Sequence, residues 1–216
     1  MIDLIVFKVG DNSYALPIEN IQRIIQSTPL TDIPNAHPFI DGIMSYEEKV
    51  IKVLSMRRLI SLPSYKEELD DLFVKLKGQH KAWVEALQTA VSTQSEFTKT
   101  FNPHMCELGK WIDSFTAYDD KVSEVLHGLV INHKNLHGRG LDAYEIRSTD
   151  PESAKKIMDV DLNNIYNLTM GALDTFVKEL DLVADSLQKL LIYENEGQTF
   201  AIKVDTIDDI AHVEEK

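Results

Sequence analysis

The chain has 216 residues, 44% of them hydrophobic, enough to bury one large core or two modest ones. Its formal net charge of −13 repels phosphate backbones and anionic lipid, which argues against nucleic-acid and membrane partners. No apolar run reaches membrane-spanning length; a single cysteine, and an N-terminus (MIDLIVFKVGD) that reads as a strand rather than a signal peptide, point to a reducing, cytoplasmic setting.

From Met1 to about Pro63 the pattern alternates with period two. LIVFKV, SYALPI and KVIKVLSM are rich in β-branched and aromatic residues, and GDN makes a turn between the first two. TPLTDIPNAHPFIDGI reads as a loop, because its prolines forbid regular sheet pairing. Near Ser64 the period changes. Leu69, Leu72, Leu76, His80, Trp83, Leu87 and Ala90 recur at three- and four-residue steps, which predicts a long helix. Pro103 suits the first turn of a second helix. From Asp119 a third stripe runs through Val122, Leu126, Leu129, His133 and Leu136 and is expected to end at the glycines of HGRG. Asp150-Pro-Glu then predicts an N-capped helix carrying Met158, Leu162, Ile165, Thr169, Leu173, Phe176, Leu180, Val183 and Leu187.

At LLIYENEGQTFAIKVDTIDDIAHV the period returns to two, with NEG as a hairpin turn. Strands thus surround helices. Two domains in series would leave the last strands without a sheet, so the expectation is a β domain over 1–63 and 190–216, interrupted by an inserted helical bundle over 64–189.

The seven histidines and the one cysteine are unevenly spread. His80 lies on the first helical stripe and His133 on the third, with His137 one turn further along. HKNLH puts two imidazoles on one helical face, about 5–6 Å apart, which suits two ligands of one ion. Taken singly, His80 reads as a buried hydrogen-bonded histidine, Cys106 as a small core residue and HKNLH as a polar face. Together they supply three imidazoles and a thiolate, a closed tetrahedral set that suits zinc better than the oxygen-seeking cations. The spacing matches no short zinc-finger pattern, and His127 points off its stripe.

In order, HxxW (His80 to Trp83), CELGKW (Cys106 to Trp111) and HKNLH resemble the signature of the CZB family, the chemoreceptor zinc-binding domains. That resemblance implies a helical bundle holding zinc through His80, Cys106, His133 and His137, with no role for His104 or His127. The β segments LIVFKVGDNSYALPIENIQRII, IPNAHPFIDGI, VIKVLSMRRLI and the final LLIYENEGQTFAIKVDTIDDIAHV resemble CheW, the adaptor joining chemoreceptors to the kinase CheA. Ser45-Tyr-Glu-Glu48 stands where that family usually has an Asn-Leu-Arg-Gly turn. The implied fold class is α+β: a CheW-like β-barrel with an inserted α-helical bundle. The family pattern runs on for further strands past Lys216. That would leave Ile207, Ile210 and Val213 uncovered, and a homodimer is therefore expected.

The two resemblances imply a non-enzymatic chemotaxis adaptor, partnered by a CheA-like histidine kinase and chemoreceptors, whose zinc-bound thiolate senses zinc or an oxidant such as hypochlorous acid. No catalytic residue and no organic cofactor are expected. Two other readings stay open on the residues alone: a cysteine- or zinc-dependent hydrolase, and a purely structural zinc. Against the hydrolase, the sequence has no Gly-rich phosphate loop and no nucleophile elbow.

Overall fold

Period-two stretches at both ends of the chain form strands, and the three- and four-residue stripes between them form helices, in a computed structural model that describes residues 2–214. The chain divides into two units, Met1–Glu68 with Asp181–Lys216, and Leu69–Leu180.

The first unit holds β1 (Ile2–Val9), β2 (Asn12–Pro17), β3 (Ile21–Gln26), β4 (Ile40–Tyr46) and β5 (Lys49–Ser55), then the short helix α1 (Met56–Leu59). It is completed by β6 (Lys189–Asn195), β7 (Gln198–Val204) and β8 (Thr206–Val213). Two sheets form, with orders β2-β1-β8 and β3-β6-β7-β5-β4. The CheW-like barrel expected here is not closed. Among the described residues β1 bonds to β2 and β8, while β6 and β7 bond to β3, β5 and each other, and no ladder joins the sheets. β3 falls in a stretch that periodicity alone left unassigned, and β4 begins within the stretch read as a loop.

Side-chain alternation explains why β6 is buried on both faces. Leu191 packs with Ile5, Phe7 and Val9 of β1, whereas Leu190 and Ile192 pack with Ile51 and Val53 of β5. A strand buried on both faces loses the polar-out alternation and reads as a continuous apolar run. On β8, Ile207 packs against the β1 cluster, contrary to the expectation that it lies uncovered, while Ile210 and Val213 are exposed.

Segments from both ends of the chain meet at Arg57. Its Nε and Nη2 donate to the two carboxylate oxygens of Asp205, each at 2.7 Å, and Nη2 also reaches Glu68 at 2.7 Å. Nη1 donates to the Pro63 carbonyl at 3.1 Å, and the guanidinium lies 4.4 Å over the Tyr65 ring. Asp205 in turn accepts from the Gly10 amide at 2.7 Å and the Gln188 side chain at 3.1 Å. A buried charge is tolerated only with such complete pairing.

The second unit is helical. It contains α2 (Tyr65–Thr93, whose first turn belongs to the first unit), α3 (Glu107–Ser114), α4 (Asp120–Ile146), α5 (Pro151–Lys156), a π-helical segment at Ile157–Leu162, and α6 (Asn163–Lys178). α7 (Leu180–Leu187) carries the chain back to β6. The buried stripe of α2 is Leu69, Phe73, Leu76, His80, Trp83, Leu87 and Ala90, with Phe73 in the place expected for Leu72. That sequence of four- and three-residue steps is a heptad seam. Asp119 caps α4 by accepting from the Lys121 and Val122 amides, and Asp150 caps α5 through Ser153.

Three expectations change here. α3 starts at Glu107 rather than at Pro103, because Cys106 is its cap. α4 runs through HGRG to Ile146. Gly140 is there to admit Trp83, since a Cβ would stand 2.4 Å from that ring. The last stripe is broken by the π segment and by a stop at Glu179.

Because Arg57 and Asp205 are both buried, Arg57→Ala should strand the carboxylate and lower the unfolding free energy of the sheet unit by about 3–5 kcal/mol. Denaturant titration followed by a probe on the sheet unit measures this, and the double variant Arg57→Ala/Asp205→Ala should cost less than the sum of the singles.

Candidate metal centre

Four side chains converge inside the helical unit. α2 contributes His80 and α4 contributes His133 and His137; all three are buried. Cys106, half-buried, stands at the N-terminus of α3. One ligand atom from each lies within 4.8 Å of the others. Cys106 Sγ is 3.2 Å from His133 Nε2 and 3.9 Å from His80 Nε2, and the two Nε2 atoms are 3.1 Å apart. A tetrahedral zinc site with ordinary bond lengths has edges of about 3.3 Å between nitrogens and about 3.6 Å between nitrogen and sulfur. The three separations scatter around those values.

Neighbouring groups orient these ligands. The Leu76 carbonyl accepts from His80 Nδ1 at 2.9 Å, which leaves the Nε2 lone pair facing the cluster. Cys106 is held by its capping role, its sulfur accepting from the Gly109 amide at 3.3 Å. Only glycine fits at 109, because a Cβ there would lie 1.7 Å from the Pro103 carbonyl oxygen. Trp111 fastens α3 to the bundle, stacked on Phe115 at 4.7 Å and edge-on to Phe73 at 5.1 Å. Trp83 packs 4.7 Å from His137 and donates its indole N–H to the Thr100 carbonyl at 2.9 Å, which ties down the segment leading to Cys106.

The electrostatics favour neutral imidazoles. Burial lowers the pKa of all three histidines; Lys99 adds to the effect at His80, and neighbouring imidazoles add to it at His133, which falls to about 3, and at His137, which falls to about 4. Burial also pushes the Cys106 thiol up, opposed by the amides of Gly109 and Leu108. The carbonyls of Thr100 and Phe101 lie near enough to His137 to favour its charged form slightly. Among the described residues, however, neither of its ring nitrogens has a partner at hydrogen-bond geometry. A fully buried imidazole without partners is costly unless another acceptor of its lone pair is present. That orphaned ring, the soft donor set and the edge lengths together fit zinc.

His80, Cys106, His133 and His137 are thus brought together, and the other expected bystanders are left out. His104 is exposed and pairs with Asp113 at 2.9 Å; His127 is exposed on α4. The supporting roles of Gly109, Gly140 and Thr100 escaped the sequence reading, although the C-x-L-G-x-W spacing held the clue for Gly109.

Among known proteins, residues 3–100 match the CheW-like domain family. The match spans less than half of this α+β chain, which has a helical unit of its own. Its relatives include the chemotaxis protein CheW of Thermotoga maritima, 17% identical over 72 residues, which are 33% of this chain and 48% of that protein. Protein FrzA of Myxococcus xanthus is 31% identical over 81 residues, 37% of this chain and 51% of the relative. The chain spans about half the length of the curated relatives it matches. The regulatory CZB domain of DgcZ overlays 53% of this chain and 98% of that domain, at 14% identity and a TM-score of 0.45, a likeness too distant to carry an argument. Among the described residues no helix is long and apolar enough to cross a membrane.

Acid should destabilise the metal-free helical unit. The folded histidines resist protonation, whereas in the unfolded chain they take up protons as the pH falls through about 6.5. Stability should therefore decline from that point until the folded groups protonate, at about 4 for His137 and about 3 for His133. Thermal melts of chelator-treated protein at pH 7 and pH 5 should show the lower midpoint at the lower pH. His133→Leu/His137→Leu should flatten that dependence.

Proposed function

We propose that this chain is a cytoplasmic chemotaxis adaptor that couples chemoreceptors to a CheA-like histidine kinase and carries a zinc–thiolate sensor in a helical bundle inserted over residues 64–189. The observation that carries the reading is the convergence of His80, Cys106, His133 and His137, with His137 buried and without a hydrogen-bond partner. The ordered HxxW, CELGKW and HKNLH motifs of the CZB signature support the same ligand set. The CheW-like match over residues 3–100, and relatives named as chemotaxis proteins, support the adaptor role.

When bound, zinc supplies a positive centre that keeps the coordinating thiol deprotonated, in its oxidisable form. The chain's own residues do the rest. Leu76 and the helical stripe hold His80 neutral and aimed, Gly109 lets the turn before α3 close over the sulfur, and burial keeps His133 and His137 free of protons. All four groups are ligands in this reading, so none is left over as nucleophile or base, and the adaptor is not an enzyme. Loss of the thiolate by oxidation removes one ligand of four and lets the bundle repack.

Purified protein should contain one zinc per chain. Ala substitution at His80, Cys106, His133 or His137 should each lower that content, and Gly109→Ala should do so without removing a ligand. His104→Ala and His127→Ala should leave it unchanged. Elemental analysis decides, and full occupancy in His133→Ala would remove the assignment.

The adaptor role predicts measurable binding of the intact chain to a CheA-like regulatory domain or to a receptor signalling tip from the same cell. Titration calorimetry or pull-down with each fragment checks it. No binding to either would place the protein outside chemoreceptor signalling.

A further inference from the structure

A cleft of about 510 Å³ lies wholly within the first unit, every lining residue belonging to Met1–Glu68 or Asp181–Lys216. Sites for small molecules run from about 300 to 1,000 Å³, so the space suits one. Its buried lining is charged. Lys203 of β7 stands 2.9 Å from Asp185 and 3.3 Å from Asp41, and Asp185 also accepts from Ser27 Oγ at 2.7 Å. Arg57 lines the cleft too, but Asp205 and Glu68 already take up its charge. Nearer the solvent, Arg58 pairs with Asp41 at 3.3 Å and Lys66 with Asp181 at 2.8 Å. Both cations are about half exposed, and exposed pairs of this kind are weakly held, so a ligand carboxylate can exchange into them. Asp32 is exposed and, among the described residues, has neither an ion pair nor a side-chain hydrogen bond.

This lining selects a ligand by charge. A polyanion would meet four aspartates, and a polyamine would meet Arg58, Lys66 and Lys203. The complement is a molecule with one charge of each sign, and Pro29, Leu30 and Leu182 offer an apolar surface to the rest of it. We propose that the cleft binds a small zwitterion of the amino-acid class, a free amino acid or a dipeptide, its ammonium on Asp32 and its carboxylate on Arg58. The guanidinium fork suits that carboxylate better than the Lys66 ammonium does. Tyr65 and Lys66 begin α2, whereas Asp181 and Leu182 lie on α7. The occupant thus sits where the chain leaves the sheet unit and returns to it, an input separate from the four-residue cluster and independent of any metal.

The test is a heteronuclear NMR titration of the intact chain with the common free amino acids and with alanyl-alanine. At least one should shift the amides of cleft residues, Asp32 and Arg58 among them, with a dissociation constant of about 1 mM or tighter. The one that binds is then compared with its N-acetyl derivative, which lacks the ammonium, and its amide, which lacks the carboxylate. Each blocked form should bind at least about tenfold more weakly. Asp32→Asn and Arg58→Gln, both at exposed positions, should each weaken the parent by a similar factor. No shift in the cleft up to about 10 mM, ten times that dissociation constant, would overturn the proposal. So would blocked forms that bind as well as the parent, or a cleft that answers only to inorganic phosphate or spermidine. The blocked-ligand comparison uses the unaltered chain and needs no variant to fold.

Discussion

Arg57 and Asp205 stand 148 positions apart in the chain and meet as a buried, doubly hydrogen-bonded ion pair. The first unit depends on that kind of contact, because its strands come from two segments separated by the whole helical unit. Joining β1–β5 to β6–β8 has a large loop-closure cost, and the reward comes only once distant residues are in place. Apolar packing of Leu191 with Phe7 and of Leu190 with Val53 contributes to it, and the Arg57 network adds directional hydrogen bonds at the junction. Glu68, Tyr65 and Pro63 at the exit, and Gln188 at the return, all bond to the same two side chains or to each other's partner.

A different physical problem governs the helical unit. His80 and His133 occupy positions that a heptad seam would otherwise fill with leucine, and His137 lies beside Leu136 of that seam. Burial makes their charged forms expensive, so the unit holds them neutral, and neutral imidazole is the form that donates a lone pair. The same burial opposes ionisation of Cys106, yet its place at the start of α3 turns backbone amides toward the sulfur. The cluster is therefore preorganised in nitrogen, while burial and the backbone amides act on the sulfur in opposite senses.

Much of this arrangement depends on small residues that carry no chemistry. Gly109 exists because the Pro103 carbonyl needs its space, and Gly140 because Trp83 does. Trp83 links His137 to the Thr100 carbonyl, and Trp111 links α3 to Phe73. Each tryptophan of the HxxW and CxLGxW motifs thus packs around the four-residue cluster rather than belonging to it.

By itself the sequence determined the period of most segments, the caps at Asp119 and Asp150, and the soft donor chemistry of the four side chains that the fold brings together, because these are local properties: side-chain spacing, capping chemistry and ligand softness act over one or two turns. Only the tertiary structure decided that Phe73 rather than Leu72 faces the seam, that α4 passes through Gly140 without stopping, and that Cys106 rather than Pro103 begins α3. It also decided that the strands divide into two sheets instead of closing a barrel, since strand pairing is settled by partners far away in the chain. Glycine in isolation predicts a helix end, and proline a helix start. A tryptophan from another helix and a sulfur that accepts an amide proton overrule both, because packing and hydrogen bonding outweigh propensities of about 1 kcal/mol.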